Sequence, residues 1–411
     1  MIGYCRAIFF LVVGLFLFSF FITANENNTI ALVGGTVYPA PRAEAVRDAV
    51  VLISGTRITA VGKRGQVKIP KGGRVIDCTG KTIVAGFWNS HMHLIEAAWK
   101  NAATAPVAGL EKHIQEMLTR WGFTTVWDLG SDPGNSFALR RRVESGEVPG
   151  PKILLAGDIF PKNGHPVYLP PEMQLPEAAT PDEAAQMARE DLKMGDDGMK
   201  LFTGAYMGNK PVVNMDTSIV KAAVDVAHAQ GKPVFAHPQN KVGLDNAVDG
   251  GVDVLAHTIP STEFHYTSEE LARFKAQHTA LIPTLTLWTT IVDDPAVTAQ
   301  IVQAGVEQLK AFSSNGGPVL FGTDVGFITV YDTSLELEFM GRAIAPQEVL
   351  ASLTTNPAGY FKAASKGRVE KGLDADLVVL EGDPMTDVRN MAKVAYTIRA
   401  GRIVYQKQEM H

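Results

Sequence analysis

The apolar positions of this chain follow two rhythms. Near the start, Ala31 to Tyr38, Ala49 to Ile53, Thr56 to Val61 and Arg74 to Asp77 are short β-branched runs separated by glycine pairs or by Asn and Asp. Near the end, Asp376 to Leu380, Ala395 to Ile398 and Arg402 to Tyr405 repeat that character. Runs of this length broken by turn residues predict hairpin strands. No helix of useful length fits among them, so the two ends predict one small β-sandwich domain with the remainder of the chain inserted into it.

The middle alternates differently. Thr124 to Trp127, Ile153 to Ala156, Gly198 to Leu201, Pro233 to Ala236, Val254 to Ala256, Ala280 to Pro283 and Val319 to Gly322 are short apolar runs suited to parallel strands buried on both faces. Between most of them lie Ala-, Glu- and Lys-rich segments with helical spacing, such as Pro181 to Lys193, Ser218 to Gln230, Ser268 to Gln277 and Ala296 to Ser313. With Thr82 to Ala85 taken as the first strand, this makes eight βα units over roughly 270 residues, the rhythm of an α/β (β/α)8 TIM barrel. A doubly wound open sheet competes, but no GxGxxG follows the first strand. The expected layout is a leader at 1–24, the sandwich at 25–85 and 365–411, and the barrel at 86–364.

Ala7 to Ile22 is almost wholly apolar, preceded by Arg6 and followed by Asn25-Glu26-Asn27-Asn28, the layout of an export signal. The expectation is an exported protein, periplasmic or secreted. Ile22 is larger than the residue usual at a cleavage site, which keeps an uncleaved membrane anchor as the alternative. With the leader removed only Cys78 remains, so no internal disulfide is expected. The composition is ordinary for a globular protein, and a net charge of -5 gives no electrostatic reason to expect nucleic acid. The dense basic run Arg140-Arg141-Arg142 reads as a solvated helix face.

In a barrel of this kind the reacting groups stand at the C-terminal ends of the strands. The polar residues there form a coherent set: His91 and His93 beyond the first strand, Lys200 on the fourth, His237 on the fifth, His257 on the sixth and Asp324 after the eighth. His91 and His93, two apart on a strand, aim the same way. Neutral imidazole binds divalent transition metals, so the pair is half of a zinc site.

With these residues in view the chain resembles the metal-dependent amidohydrolase superfamily, most closely its imidazolonepropionase-like and prolidase-like branch. The likeness runs from Gly80-Lys81 through His91-Met92-His93, Lys200, His237, His257 and Gly322-Thr323-Asp324 to Thr355-Asn356-Pro357-Ala358 and Gly372-Leu373-Asp374-Ala375-Asp376. Asn89-Ser90 stands where many members carry an aspartate. The resemblance implies that His91, His93, His237, His257 and Asp324 bind two divalent metal ions, commonly Zn2+, bridged by carbamylated Lys200. A mononuclear site, or a metal-free Lys200–Asp324 ion pair, are the competing readings.

The chemistry implied is hydrolysis of a carbon–nitrogen bond by a metal-activated hydroxide, with Asp324 as general base and acid. His165, in Asn163-Gly164-His165-Pro166, resembles the branch's Gly-Gly-His segment and is a candidate second donor to the developing oxyanion. Tyr206, shortly after Lys200, could reach the substrate. Tyr168, Leu169, Met173 and Trp288 suggest an apolar pocket. Relatives cleave dipeptides, N-acyl amino acids and cyclic amides, so the expected partner is a small-molecule amide, dipeptide-like or N-acyl. A cyclic amide or lactone is the alternative substrate, and a non-catalytic barrel scaffold the alternative class. No nucleic-acid partner is expected, membrane contact only through the N-terminal segment, and a homo-oligomer is possible.

Overall fold

A computed structural model describes residues 29–408. The export segment and Cys5 lie outside the described residues, and no helix within them is long and apolar enough to cross a membrane.

Eight strands drawn from both ends of the chain form one sheet: Thr29–Val37, Val46–Ser54, Arg57–Lys63, Arg74–Asp77, Thr82–Ala85, Leu377–Leu380, Val394–Arg399 and Arg402–Gln406. Because side chains alternate along a strand, the sheet serves two cores. Leu32, Val51, Ile83, Leu377, Val379 and Ile398 pack into a core of its own, while Val84, Val378, Leu380 and Val394 point the other way into the large core around the barrel.

The barrel's first seven strands are Phe87–Met92, Phe123–Asp128, Lys152–Pro161, Gly198–Leu201, Val234–Ala236, Val254–Ala256 and Ala280–Ile282, hydrogen-bonded in that order and all parallel. The eighth is an irregular segment that pairs Val319 with Leu281 on one side and Val325 with Met92 on the other. Ser90 N–H donates to Phe321 O at 2.7 Å and His93 N–H to Val325 O at 2.8 Å, which closes the ring. Inside, Trp127, Ala156, Phe235, Ala280, Ile282 and Leu320 fill the lumen, and Phe361 stacks against Trp88 and Trp127 with ring centroids 5.9 and 5.1 Å away.

One expected strand belongs elsewhere. Thr82–Ala85 is extended, but it pairs antiparallel with Leu377–Leu380 in the small sheet, and the barrel starts only after Gly86, on a strand that itself contains His91. The apolar run was matched by an equally apolar partner from the far end of the chain, which local patterning does not reveal. The basic run also differs from a solvated face. It lies on the helix Pro133–Glu144, where Arg140 pairs with Asp197 at 2.9 Å and Arg142 donates to Ala102 O and Ala105 O at 2.7 Å.

The helices that wall the mouth of the barrel have locally encoded ends. Asp132 caps Pro133–Glu144 by accepting from Asn135 N–H at 2.8 Å. Thr180 does the same for Pro181–Met194, which carries Asp182 and Glu183 in its first turn and stops at Gly195 with φ +114°.

Closure of the barrel depends on Gly326. Its φ is +101°, and a Cβ there would lie 1.9 Å from His93 O, on backbone that cannot yield. Gly326→Ala should therefore cost at least about 3 kcal/mol. Gly55→Ala, at φ +57° with nothing within 4 Å, should cost only about 1 kcal/mol. Urea midpoints of the two variants check the contrast.

Candidate metal centre

Strand one delivers His91 and His93 to the same side, and strand eight brings Asp324 opposite them. Asp324 Oδ1 lies 3.2 Å from His91 Nε2 and 3.0 Å from His93 Nε2, and the two Nε2 atoms are 3.3 Å apart. These three side chains can offer one ligand atom each within a 4.8 Å span, the spacing a single ion requires.

The other predicted residues gather around them. Lys200 Nζ is 3.4 Å from His91 Nε2. The His257 ring lies 4.7 Å, centroid to centroid, from both His91 and His237. His165 is held apart: its ring nitrogens each lie 3.2 Å from a backbone carbonyl of its own loop, Pro166 O and Met173 O, and it does not line the cavity above the centre. Tyr206 does line that cavity.

Hydrogen bonds on the far side of the rings fix where lone pairs point. His93 Nδ1 faces Gly130 O at 2.8 Å, and a carbonyl only accepts, so the proton sits on Nδ1 and Nε2 is free. Thr284 Oγ1 spends its proton on Pro283 O at 2.9 Å, so it accepts from His257 Nδ1 at 2.6 Å. The Nε2 of His257 is then unprotonated as well. Gln239 Oε1 stands 3.2 Å from His237 Nε2.

Electrostatics keep His91, His237 and His257 neutral. Burial, reinforced by the Lys200 charge, pushes His91 down to about 3 and His237 to about 4, and burial with the neighbouring His237 holds His257 well below the usual histidine range. For His93 burial is outweighed by Asp324, which raises it. Asp324 itself is also opposed by burial, but the histidines' charge and hydrogen bonds hold it well below the usual carboxylate range. Burial lowers Lys200 to about 8, partly offset by Asp324 and Asp158.

The donor set fits a divalent cation. His91 Nδ1 and Asp324 Oδ1 are buried without a hydrogen-bond partner. His93 Nε2 and Asp324 Oδ1, two acceptors 3.0 Å apart inside a protein, are a costly arrangement unless a cation joins them.

Two further carboxylates, Asp128 and Asp158, belong to the same rim. Asp128 ends strand two, where it accepts from Ser131 Oγ at 2.6 Å and Ser136 Oγ at 2.9 Å and so steadies the loop that presents Gly130 O to His93. Asp158, in register with Lys200 across strands three and four, is pushed up to about 6 by burial, with His93 and Lys200 pulling it partly back. A polar residue closing an apolar run was the available signal for both. Asn89 is also positional: its side chain accepts from His91 N–H and Thr323 N–H at 3.2 Å and donates to Thr323 Oγ1 at 2.8 Å, tying strand one to strand eight beneath the centre.

Above the centre opens a cavity of about 1060 Å³, reached past Ile95, Tyr168, Met173, Tyr206 and Ile291. Tyr168 packs on Phe327 with centroids 5.1 Å apart.

Comparison with known proteins agrees with this geometry. The amidohydrolase family matches residues 82–404. Imidazolonepropionase of Porphyromonas gingivalis is 22% identical over 89% of this chain and 90% of that protein. Ochratoxinase of Aspergillus niger is 23% identical over 89% and 84%. A candidate prolidase from Bifidobacterium longum superposes with a TM-score of 0.77 at 26% identity, covering 93% of this chain and 97% of the other. A closed barrel with histidines and an aspartate at its rim, matched along most of its length, thus belongs to the amidohydrolase family, metal-dependent hydrolases of carbon–nitrogen bonds, in the branch of the imidazolonepropionases and prolidases.

Proposed function

We propose that this protein hydrolyses the amide bond of a small dipeptide-like or N-acyl amino acid substrate. The centre would hold two divalent ions, Zn2+, on His91, His93, His237, His257 and Asp324, bridged by carbamylated Lys200. The observation that carries this reading is the set of acceptor atoms converging at 3.0 to 3.3 Å beneath a cavity large enough for such a substrate. Export, with the leader cleaved or kept as an anchor, is part of the same proposal.

Bound metal would supply Lewis acidity, polarising the carbonyl and making water acidic near neutral pH. The chain's own residues do the rest. Asp324, ionised and at the floor of the cavity, takes a proton from the attacking water as its oxygen bonds to the carbonyl carbon. It returns that proton to the nitrogen as the carbon–nitrogen bond breaks. Lys200 is 1% exposed, and its charge meets an imidazole at 3.4 Å rather than a carboxylate. An ammonium so placed is destabilised, which favours the neutral amine that carbamylation consumes. Tyr206, on the cavity wall, is the candidate contact to substrate, and His165 would have to leave its two backbone carbonyls to donate to an oxyanion.

Elemental analysis should return two equivalents of zinc per chain for the wild type and one or fewer for Lys200→Met, with activity falling at least about 1000-fold. Less than one equivalent in the wild type would refute the metal centre. Among dipeptides, N-acyl amino acids, lactams and lactones, turnover is expected on the open-chain amides; turnover confined to rings would replace this substrate class by the cyclic one.

His257 owes its orientation to Thr284, and Thr284 to Glu336, whose buried carboxylate accepts from Leu285 N–H at 2.9 Å and Thr286 N–H at 2.7 Å. Thr284→Val leaves His257 Nδ1 without an acceptor. It should weaken metal binding by about 10- to 100-fold in chelator competition, and Thr284→Ser should restore most of it.

A further inference from the structure

The cavity does not end at the metal centre. From His93 and Asp324 it continues past Gly130 and Asp158 and between the helices Pro133–Glu144 and Pro181–Met194, as far as Asp191 and Asp196. Its lining holds seven carboxylates against a single lysine, Lys200, and no arginine. Clefts walled by one sign of charge concentrate ligands of the other.

Four of the seven have work elsewhere. Asp324 belongs to the centre, Asp128 is held by two serines, Asp132 caps a helix, and Glu190 accepts from Gln186 on its own helix at 2.9 Å. Asp191 and Asp196 have no side-chain hydrogen bond or ion pair among the described residues, and Asp158 meets only its own backbone N–H. Asp196 is only 5% exposed, yet it lines the cavity. The nearest arginine is already engaged, since Arg140 is spent on Asp197 at 2.9 Å and Gly195 O at 3.1 Å. Gly157 gives the carboxylates room: a Cβ there would sit 2.3 Å from Asp191 Oδ2.

Burial and mutual repulsion make this arrangement costly. Burial and then Asp158 push Asp191 up to about 6, and burial and then Asp191 push Asp196 up to about 7. Above those values all are charged; His93 and Lys200 offset Asp158 in part and Arg140 offsets Asp196 in part, but no cationic side chain pairs directly with Asp191 or Asp196 among the described residues. The walls before them are apolar, with Phe137, Leu155 and Met187. An apolar passage ending in unpaired carboxylates matches a ligand with an alkyl stem and a cationic head.

We infer that this arm receives a primary ammonium or guanidinium carried by the substrate beyond its amide bond. The substrates would then be N-acyl derivatives or dipeptides of basic amino acids. As a statement about substrate this rests on the amide hydrolysis proposed above; as a cation site the arm can be tested without turnover.

The zinc-loaded wild type and the variants Asp191→Asn, Asp196→Asn and their double should be compared at pH 8, where both aspartates are ionised. Two measurements serve: kcat/KM for N-acetyl-lysine against N-acetyl-norleucine, which has the same stem length without the ammonium, and calorimetric binding of hexylammonium. The expected result is a lysine preference of at least about ten-fold that collapses toward unity in the double variant, with hexylammonium binding lost in parallel. An unchanged preference in the double variant, or norleucine favoured by the wild type, would overturn the inference. If neither these amides nor any open-chain amide of the wider panel is hydrolysed the proposed function fails, but hexylammonium binding still decides the arm: weaker in the double variant supports it, equal overturns it. Calcium or magnesium displacing hexylammonium at micromolar concentration would assign the carboxylates to an inorganic ion and likewise overturn it.

Discussion

The constraint on which the rest depends is the closure of strand eight onto strand one. Parallel strands cannot meet their backbone hydrogen-bonding needs at an open edge without exposing polar groups, and a ring of eight removes both edges. Here the final seam is short and irregular, consisting of the donations from Ser90 to Phe321, from Thr323 and Asp324 to His91 O, and from His93 to Val325. The same few peptides that close the barrel carry both paired histidines and the aspartate. Barrel closure and assembly of the metal centre are therefore one event. Gly322 shows how tight the fit is, since a Cβ there would lie 2.8 Å from His91 Cβ and 2.4 Å from an Ile282 methyl.

Around the seam, His93 and His257 are each oriented by a group that is not itself a ligand candidate. Gly130 O sets the tautomer of His93 and is steadied through Ser131 by Asp128. Thr284 sets that of His257 and sits in a turn tied down by Glu336. Asn89 joins the two strands by hydrogen bonds to both. Such supports are effective because the barrel interior is dry, so an unpaired N–H or carbonyl would find no water to replace a lost partner. The direction of a lone pair is thus set several bonds away from the atom that uses it.

Much of this was legible in the sequence because barrel strands buried on both faces are written as short uniform apolar runs, and a polar residue closing such a run stands out. That is why His237, His257 and Lys200 could be read directly. Asp128 and Asp158 obey the same rule and were passed over, since carboxylates are common at strand ends and neither lies in a motif. Thr82–Ala85 shows the other limit. Its four apolar residues suit a barrel strand as well as a sheet strand, and only the partner, Leu377–Leu380, nearly three hundred residues away, decides. The arginine run reads as surface by composition, yet two of its members are fixed by backbone carbonyls and an aspartate from other elements. Contacts of this kind leave no periodicity behind. Thr284 and Glu336 were equally invisible, because their role is geometric and their residue types are unremarkable where they stand.

The backbone at the rim carries a cost that the centre does not repay by itself. His257 at φ +75°, Thr284 at +46° and Asp324 at +60° follow strands six, seven and eight, and none is a glycine. Left-handed backbone at such residues costs of order 1–3 kcal/mol each, so the three together represent a sizeable fraction of the 5–15 kcal/mol by which domains are typically stable. With two buried polar atoms, His91 Nδ1 and Asp324 Oδ1, left unpartnered, the rim cannot be a locally stable structure. It persists because the filled lumen and the outer core hold the strand ends in place, and because each strained residue gains a partner by its turn: His257 N–H donates to Ile282 O at 2.8 Å, Thr284 bonds His257, and Asp324 N–H donates to His91 O at 2.9 Å. The strain is concentrated where side chains must swing from the strand direction toward the barrel axis. A relaxed rim would leave those same residues pointing along their strands, and the acceptor atoms that now converge would be spread around the mouth.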